Sequence, residues 1–94
     1  MVIWKYALLS PAWQGYLSMP KGAHFRHFDF QHNNPTLWFE VDPDAPLEHR
    51  QFEVVGTGFE IPYDGRYLSS VQVREDGGPY WVWHAYETTR KEGD

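Results

Sequence analysis

Residues 80–87 read Tyr-Trp-Val-Trp-His-Ala-Tyr-Glu. Side chains two residues apart in an extended chain project to the same face, so Trp81 and Trp83 share one face of this stretch. The opposite face carries Tyr80, His84 and Tyr86. Aromatic and β-branched residues suit the pleated surface of a strand. The stretch therefore predicts a β-strand that carries large side chains on both faces.

The same period of two recurs towards the N-terminus, where Leu37, Phe39 and Val41 share one face of another extended stretch. Gly, Pro, Asn and Asp residues typical of turns lie between these stretches. The pattern predicts seven strands, at about 2–9, 14–18, 23–31, 36–41, 50–57, 67–74 and 80–87. Seven short, evenly spaced strands predict an all-β fold, either an antiparallel β-sandwich or a small barrel.

The third predicted strand departs from simple alternation. Phe25 would lie on the face opposite Phe28 and Phe30 if the strand were regular. A β-bulge adds one residue to a strand and resets which face the following side chains occupy. We therefore expect a bulge near Arg26 and His27.

The length of 94 residues corresponds to one domain, which we expect to span residues 1–87. Hydrophobic residues make up 41% of the chain and aromatic residues 18%, which is too much for a disordered protein. Residues 88–94 are polar and without periodicity, and we expect them to form a disordered tail.

Composition also excludes several classes of function. The chain has no cysteine, which excludes disulfides, cysteine-ligated zinc and thiol catalysis. Eight Lys and Arg against thirteen Asp and Glu give a net charge of −5, which disfavours direct binding to nucleic acid. No apolar run approaches the roughly 20 residues of a membrane-spanning helix, and the start does not resemble a signal peptide. We therefore expect no membrane partner and a cytoplasmic location.

The ionisable side chains form no recognisable catalytic or metal motif. His24 and His27 are three residues apart, whereas two metal ligands on one face of a strand would be two apart. His27 and Asp29 have the spacing of an oriented imidazole, but no nucleophile accompanies them. We expect neither a metal site nor a cofactor, and predict that the protein is not an enzyme.

Seventeen aromatic residues are more than a domain of this size readily buries. Trp and Tyr are enriched at the energetic centres of protein interfaces, so surplus rings favour a protein partner. The alternative is that large rings simply fill a small core. The candidates for partner contact are Trp13, Trp38, Tyr80, Trp81, Trp83 and Tyr86. An edge strand could also pair with itself to form a homodimer.

Several short sequence words occur together along nearly the whole chain. They include Ile3-Trp4-Lys5-Tyr6, Met19-Pro20-Lys21-Gly22-Ala23, residues 41–46 (Val-Asp-Pro-Asp-Ala-Pro), Val55-Gly56-Thr57-Gly58 and Val82-Trp83-His84-Ala85-Tyr86-Glu87. In these words the chain resembles a family of small proteins of tailed phages and prophages. The resemblance implies expression in a bacterial cytoplasm and no assigned catalysis, and it supplies no catalytic residues.

Three functions are compatible with these observations. The first is a non-enzymatic accessory protein that binds a host or phage protein, for example to counter host defence by inhibiting CRISPR machinery. The second is a protein that binds and sequesters a small ligand or nucleotide in a pocket between the sheets or between subunits, lined by Trp residues together with Arg26, His27, Arg50, Arg66 and His84. The third is a minor structural component of the virion.

Overall fold

A computed structural model of the chain describes residues 1–74 and 76–89. These residues form seven β-strands: β1 (Val2–Ala7), β2 (Gln14–Pro20), β3 (His24–Gln31), β4 (Asn34–Val41), β5 (Leu47–Gly56), β6 (Gly65–Arg74) and β7 (Tyr80–Thr88). Turns and bends connect the strands, and the described part of the chain contains no helix. The prediction of an all-β fold with seven short strands is confirmed.

The strands form two antiparallel sheets. The smaller sheet has the order β1-β4-β3 and the larger sheet the order β2-β5-β7-β6. Their inner faces pack on each other, so of the two predicted architectures the chain adopts the sandwich. Phe39 of the smaller sheet meets Phe52 of the larger one edge to face, with ring centroids 5.5 Å apart. Both rings are fully buried and form the centre of the core.

Two strands contain bulges. The register of β3 against β4 shifts between Phe25 and His27, at the predicted position. The shift lets Phe25 and Phe28 both face the core, opposite Phe39 and Leu37 respectively. A second shift lies between Tyr67 and Ser69 of β6 and was not predicted. The small polar residues at this point show no hydrophobic alternation from which a change of side-chain face could be recognised.

The predicted strand ends need correction at several places. Strand β5 begins at Leu47 rather than at residue 50, because its first residues pair with β2 as far as Pro20. Strand β7 continues to Thr88, which pairs with Gln51 on one side and with Gly65 on the other. Thr88 therefore belongs to the sheet and not to the predicted tail of residues 88–94. Hydrophobic periodicity does not detect it, because Thr88 is a small polar residue that backbone pairing on both sides keeps in the strand. Residues 90–94 lie outside the described residues.

An ion pair lies between the sheets. Arg50 of β5 donates two hydrogen bonds to the carboxylate of Glu87 of β7, at 2.7 and 2.9 Å. A third bond, of 2.7 Å, runs from Arg50 to the carbonyl oxygen of Ala23 in the turn between β2 and β3. The Arg50 guanidinium also lies 5.2 Å from the centre of the Phe39 ring in the opposite sheet. Arg50 thus contacts both sheets and one of the turns that joins them.

The electrostatics of this pair favour its charged form. Burial by itself raises the pKa of Glu87, but hydrogen bonds and charge attraction from Arg50 and Arg66 outweigh it and bring the pKa below the usual 4.5. The hydrogen bond to Glu87 raises the pKa of Arg50, which remains charged. Arg66 is largely exposed, so its 2.7 Å contact with Glu87 contributes less to stability than that of Arg50.

We predict that Glu87→Gln lowers the free energy of unfolding at pH 7 by roughly 2–4 kcal/mol, because it leaves the Arg50 charge without its counter-ion. Glu60→Gln, in an exposed loop, is the matched control and should change it by less than about 0.5 kcal/mol. Urea unfolding with tryptophan fluorescence measures both variants.

The lowered pKa of Glu87 also predicts how stability depends on pH. Its contribution is present above the usual value of 4.5 and is lost as the pH falls through the lower pKa of the folded state. As the pH falls below 4.5, the melting temperatures of the wild type and of Glu87→Gln should therefore approach each other. A difference that stayed constant from pH 7 into this acid range would contradict the assignment.

Candidate functional site

A cluster of aromatic rings lies at one end of the sandwich, between the sheets. Trp83 of β7 meets Trp13, from the loop after β1, with ring centroids 4.8 Å apart. Phe30, near the end of β3, contacts both indoles at 5.3 and 6.2 Å. Trp81 and Phe59 adjoin these three rings and complete what we call the aromatic cleft.

The cleft has two adjoining parts that share Trp13, Phe59 and Trp83. One part, of about 460 Å³, is also lined by Val54, Glu60 and neighbouring residues. The other, of about 510 Å³, extends over Phe30, Asn33, Val73 and Trp81. Among the lining residues that the structure describes, Glu60 carries the only charge. The cleft is therefore an apolar surface with few polar groups.

Trp13 holds an unusual backbone conformation at the centre of the cleft. Its φ of 49° lies in the left-handed region, where a bulky residue is an outlier. Two backbone hydrogen bonds keep it there, from its own N–H to Ser10 and from the N–H of Val54 to its carbonyl, both 2.9 Å long. Such a conformation costs about 1–3 kcal/mol, which the packing of the indole on Trp83 and Phe30 offsets.

Gly56 leaves room for the Trp83 indole. A Cβ atom at this position would lie 3.0 Å from Cζ3 of Trp83 and 3.3 Å from Cδ2 of Phe59. The loop that follows turns back at once, because the N–H of Phe59 donates to the carbonyl of Gly56 at 3.2 Å. This turn places Phe59 over the opening of the cleft, where 73% of its surface is exposed.

Three of the six predicted partner-contact residues meet in the aromatic cleft, namely Trp13, Trp81 and Trp83. Trp38 lies instead on the outer face of the smaller sheet, 5.2 Å from the His27 ring. Tyr80 and Tyr86 occupy the outer face of β7, where Arg74 lies 5.2 Å from the Tyr80 ring. Tyr86 is buried and packs against Tyr67.

The predicted ligand-binding residues do not form one site. Arg50 and Arg66 meet at Glu87. The others are dispersed: Arg26 pairs with Glu40 at 3.2 Å, His27 lies 3.8 Å from Asp29, and His84 hydrogen-bonds to Thr57 at 2.9 Å. Within the chain, the structure thus brings only Arg50 and Arg66 of these five residues to a shared partner, and a ligand pocket lined by all five stays a prediction. In residues 1–74 and 76–89, no group of three or more His, Asp or Glu side chains is arranged to hold a metal ion.

Two cleft residues were missed at the level of sequence, Phe30 and Phe59. Phe30 belongs to the bulged strand, whose alternation is compatible with an ordinary core position. Phe59 follows Gly58, and an aromatic residue directly after a glycine turn is the signal that could have indicated an exposed ring.

Comparison with known proteins assigns the chain to a family. It belongs to the family described as Domain of unknown function (DUF7352). The family model matches residues 1–94, the whole length of the chain. Comparisons with curated proteins and with solved structures find no match. The described residues of this DUF7352 chain contain no helix that is long and apolar enough to cross a membrane.

We predict that Gly56→Ala displaces the Trp83 indole, because the added methyl carbon would lie 3.0 Å from Cζ3 of that ring, which is closer than ordinary van der Waals contact. The near-UV circular dichroism of tryptophan should change, and the free energy of unfolding should fall by about 1–3 kcal/mol. Gly65→Ala is the matched control: its Cβ would lie 3.0 Å from Tyr86, on the outer face of the larger sheet and away from the indoles. An unchanged tryptophan band in Gly56→Ala would contradict the close packing.

Proposed function

We propose that this protein is a non-enzymatic binding module that recognises a host or phage protein through the aromatic cleft. The observation that carries this proposal is the gathering of five large rings at one end of the sandwich. Phe59 and Trp81 remain exposed there, at 73% and 52%. Aromatic residues that are already held in place supply contact area at a low entropic cost, and they dominate the energetics of many interfaces.

The chemistry of the cleft supports binding by burial of apolar surface. Its lining is formed by rings and aliphatic side chains, together with the polar side chains of Glu60 and Asn33. A partner surface that complements this lining would present apolar side chains. They would enter the two parts of the cleft and displace water from them. The strained backbone of Trp13 supports the same interpretation, because such strain clusters at functional sites.

The resemblance to phage and prophage proteins supports a role inside an infected bacterium. A protein of this kind acts in the cytoplasm by occupying a surface of its partner, and inhibition of a host defence complex such as CRISPR machinery is one form of that role. The net charge of −5 supports a protein partner over nucleic acid.

A second candidate function is binding of a small apolar ligand. The observation that favours it is size, since both parts of the cleft fall within the range of about 300–1,000 Å³ that is typical of ligand pockets. Within residues 1–74 and 76–89, the lining of the cleft includes no basic side chain, so an aromatic or aliphatic ligand suits it better than a phosphorylated nucleotide.

The proposed protein contact predicts which substitutions abolish binding. We expect the double variant Phe59→Ser, Trp81→Ser to lose at least tenfold in affinity for a partner that the immobilised wild-type protein retains from a bacterial host lysate, because exposed anchor rings contribute most of the contact energy. Mass spectrometry identifies the retained proteins, and titration calorimetry measures their affinity.

Tyr80→Ser is the matched control for this experiment. Tyr80 is as exposed as Trp81 and adjoins it in β7, but it lies on the outer face of the sheet. A partner lost equally with the cleft variant and with Tyr80→Ser would place the contact elsewhere, and retention of all partners by the cleft variant would overturn the proposal.

The small-ligand candidate has a separate test. A ligand that occupies the cleft should raise the melting temperature of the wild type in a thermal-shift screen, since binding only to the folded state stabilises it by about 2.7 kcal/mol at 100 times Kd. The Phe59→Ser, Trp81→Ser variant should show no such shift. The screen contains apolar heterocycles and cyclic nucleotides, so that it shows which of these two ligand classes raises the melting temperature.

A further inference from the structure

The two sheets end in four edge strands, which differ in how well they are protected against pairing with another chain. Strands β3 and β6 each contain a bulge, and β2 contains Gly15 and ends at Pro20. Bulges, prolines and charges are the devices that keep an edge from pairing. Strand β1 has neither a bulge nor a proline, and its single charge is Lys5. It is the least protected of the four edges.

Strand β1 also exposes apolar side chains on both faces. Val2 and Trp4 lie on the face that points to the core, yet they are 42% and 41% exposed. Ile3 lies on the outer face and is 53% exposed. When a further strand pairs beside such an edge, part of this apolar surface is removed from water, which is favourable.

The backbone hydrogen bonds of β1 identify which groups face outward. The N–H of Leu8 donates to the carbonyl of Pro35 of β4 at 2.9 Å. In an antiparallel pair, residues that bond to the partner strand alternate with residues whose N–H and C=O point away from it. The even-numbered residues of β1 therefore bond to β4, and Ile3, Lys5 and Ala7 direct their N–H and C=O groups out of the sheet.

We propose that β1 pairs with β1 of a second copy of this chain, antiparallel, about a two-fold axis at Trp4. The two three-stranded sheets then join into one sheet of six strands. Trp4 lies opposite the partner's Trp4, and Val2 lies opposite the partner's Tyr6. Ile3 and Lys5 exchange backbone hydrogen bonds with the partner's Lys5 and the partner's Ile3. This contact is independent of the aromatic cleft.

The side chains of β1 favour this register over its neighbours. An axis at Lys5 would place two ammonium groups directly opposite each other, which is destabilising. Within β1, an axis at Ile3 would pair only residues 2–4 with the partner strand, whereas an axis at Trp4 pairs residues 2–6. The Trp4 register also places Trp4 opposite the partner's Trp4 and Val2 opposite the partner's Tyr6. Aromatic pairs, and pairs of an aromatic with a β-branched residue, are favourable cross-strand neighbours.

Self-complementarity favours a second copy over a foreign strand. A two-fold contact needs one strand that matches itself, and β1 meets this requirement with apolar residues opposite apolar residues on its inner face. The ammonium group of Lys5 already bonds to the side-chain oxygen of Gln31 in its own chain at 2.8 Å. Pairing therefore buries no unpartnered charge.

Cysteine cross-linking tests the register directly, because the chain has no cysteine of its own. Trp4→Cys should form a disulfide-linked dimer of about twice 11.1 kDa under mild oxidation, since residues opposite each other in this kind of pair bring their Cβ atoms to about 4.5–5.5 Å. Ser70→Cys, on the exposed edge strand β6, is the matched control and should remain monomeric. Equal cross-linking of both variants, or none of Trp4→Cys, would overturn the proposal.

The oligomeric state provides an independent test by sedimentation. The wild type should be a dimer that Lys5→Pro converts to a monomer, because proline removes an N–H that points out of the sheet and leaves the bonds to β4 intact. Lys5→Ala should stay dimeric. If circular dichroism shows that Lys5→Pro does not fold, Ile3→Lys is used instead. In the proposed register it places the new ammonium group opposite the partner's Lys5, which should also prevent the dimer. A wild type that is monomeric at high concentration, or a dimer that survives Ile3→Lys, would refute β1 pairing.

Discussion

The ion pair of Arg50 and Glu87 is the interaction on which the arrangement of the sandwich depends. It is held by two hydrogen bonds inside the protein, where each side chain is only 15% exposed. Removing two charges from water is costly, and full hydrogen bonding is what compensates for it. Arg50 uses a third N–H donor on the Ala23 carbonyl and lies over the ring of Phe39. One guanidinium thereby holds β5, β7, the β2–β3 turn and the opposite sheet in a single register.

Strand β7 connects this ion pair with the aromatic cleft. Glu87, Ala85, Trp83 and Trp81 lie along its inner face, so the carboxylate and the outermost indole are separated by about 20 Å of strand. The register that Arg50 imposes on β7 at one end therefore also determines where the indoles stand at the other. Charge and hydrogen bonds hold the sandwich together at one end, and at the other end the rings line the aromatic cleft, which we propose as the binding site.

The candidate site could be predicted only in part. The indoles at 81 and 83 share a face because of the period of a strand, and this was evident in the chain itself. That Trp13 joins them depends on a left-handed backbone in a loop, on a local hydrogen bond to Ser10 and on a hydrogen bond from Val54, which is far away in sequence. Arg50 and Arg66 were expected in a ligand pocket, but Glu87, 37 and 21 residues away, binds both. Long-range partners of this kind leave no local pattern.

Residue order alone determined the all-β class, the seven strands and the bulge of β3, because side-chain alternation and turn residues act over a few neighbours. It also determined that β7 carries rings on both faces. Only the tertiary structure decided that the strands form a sandwich, that Thr88 belongs to β7, and that Tyr86 is buried while Phe59 is exposed. These outcomes depend on which strands lie beside and above each other, and that choice is made by contacts between residues that are distant along the chain.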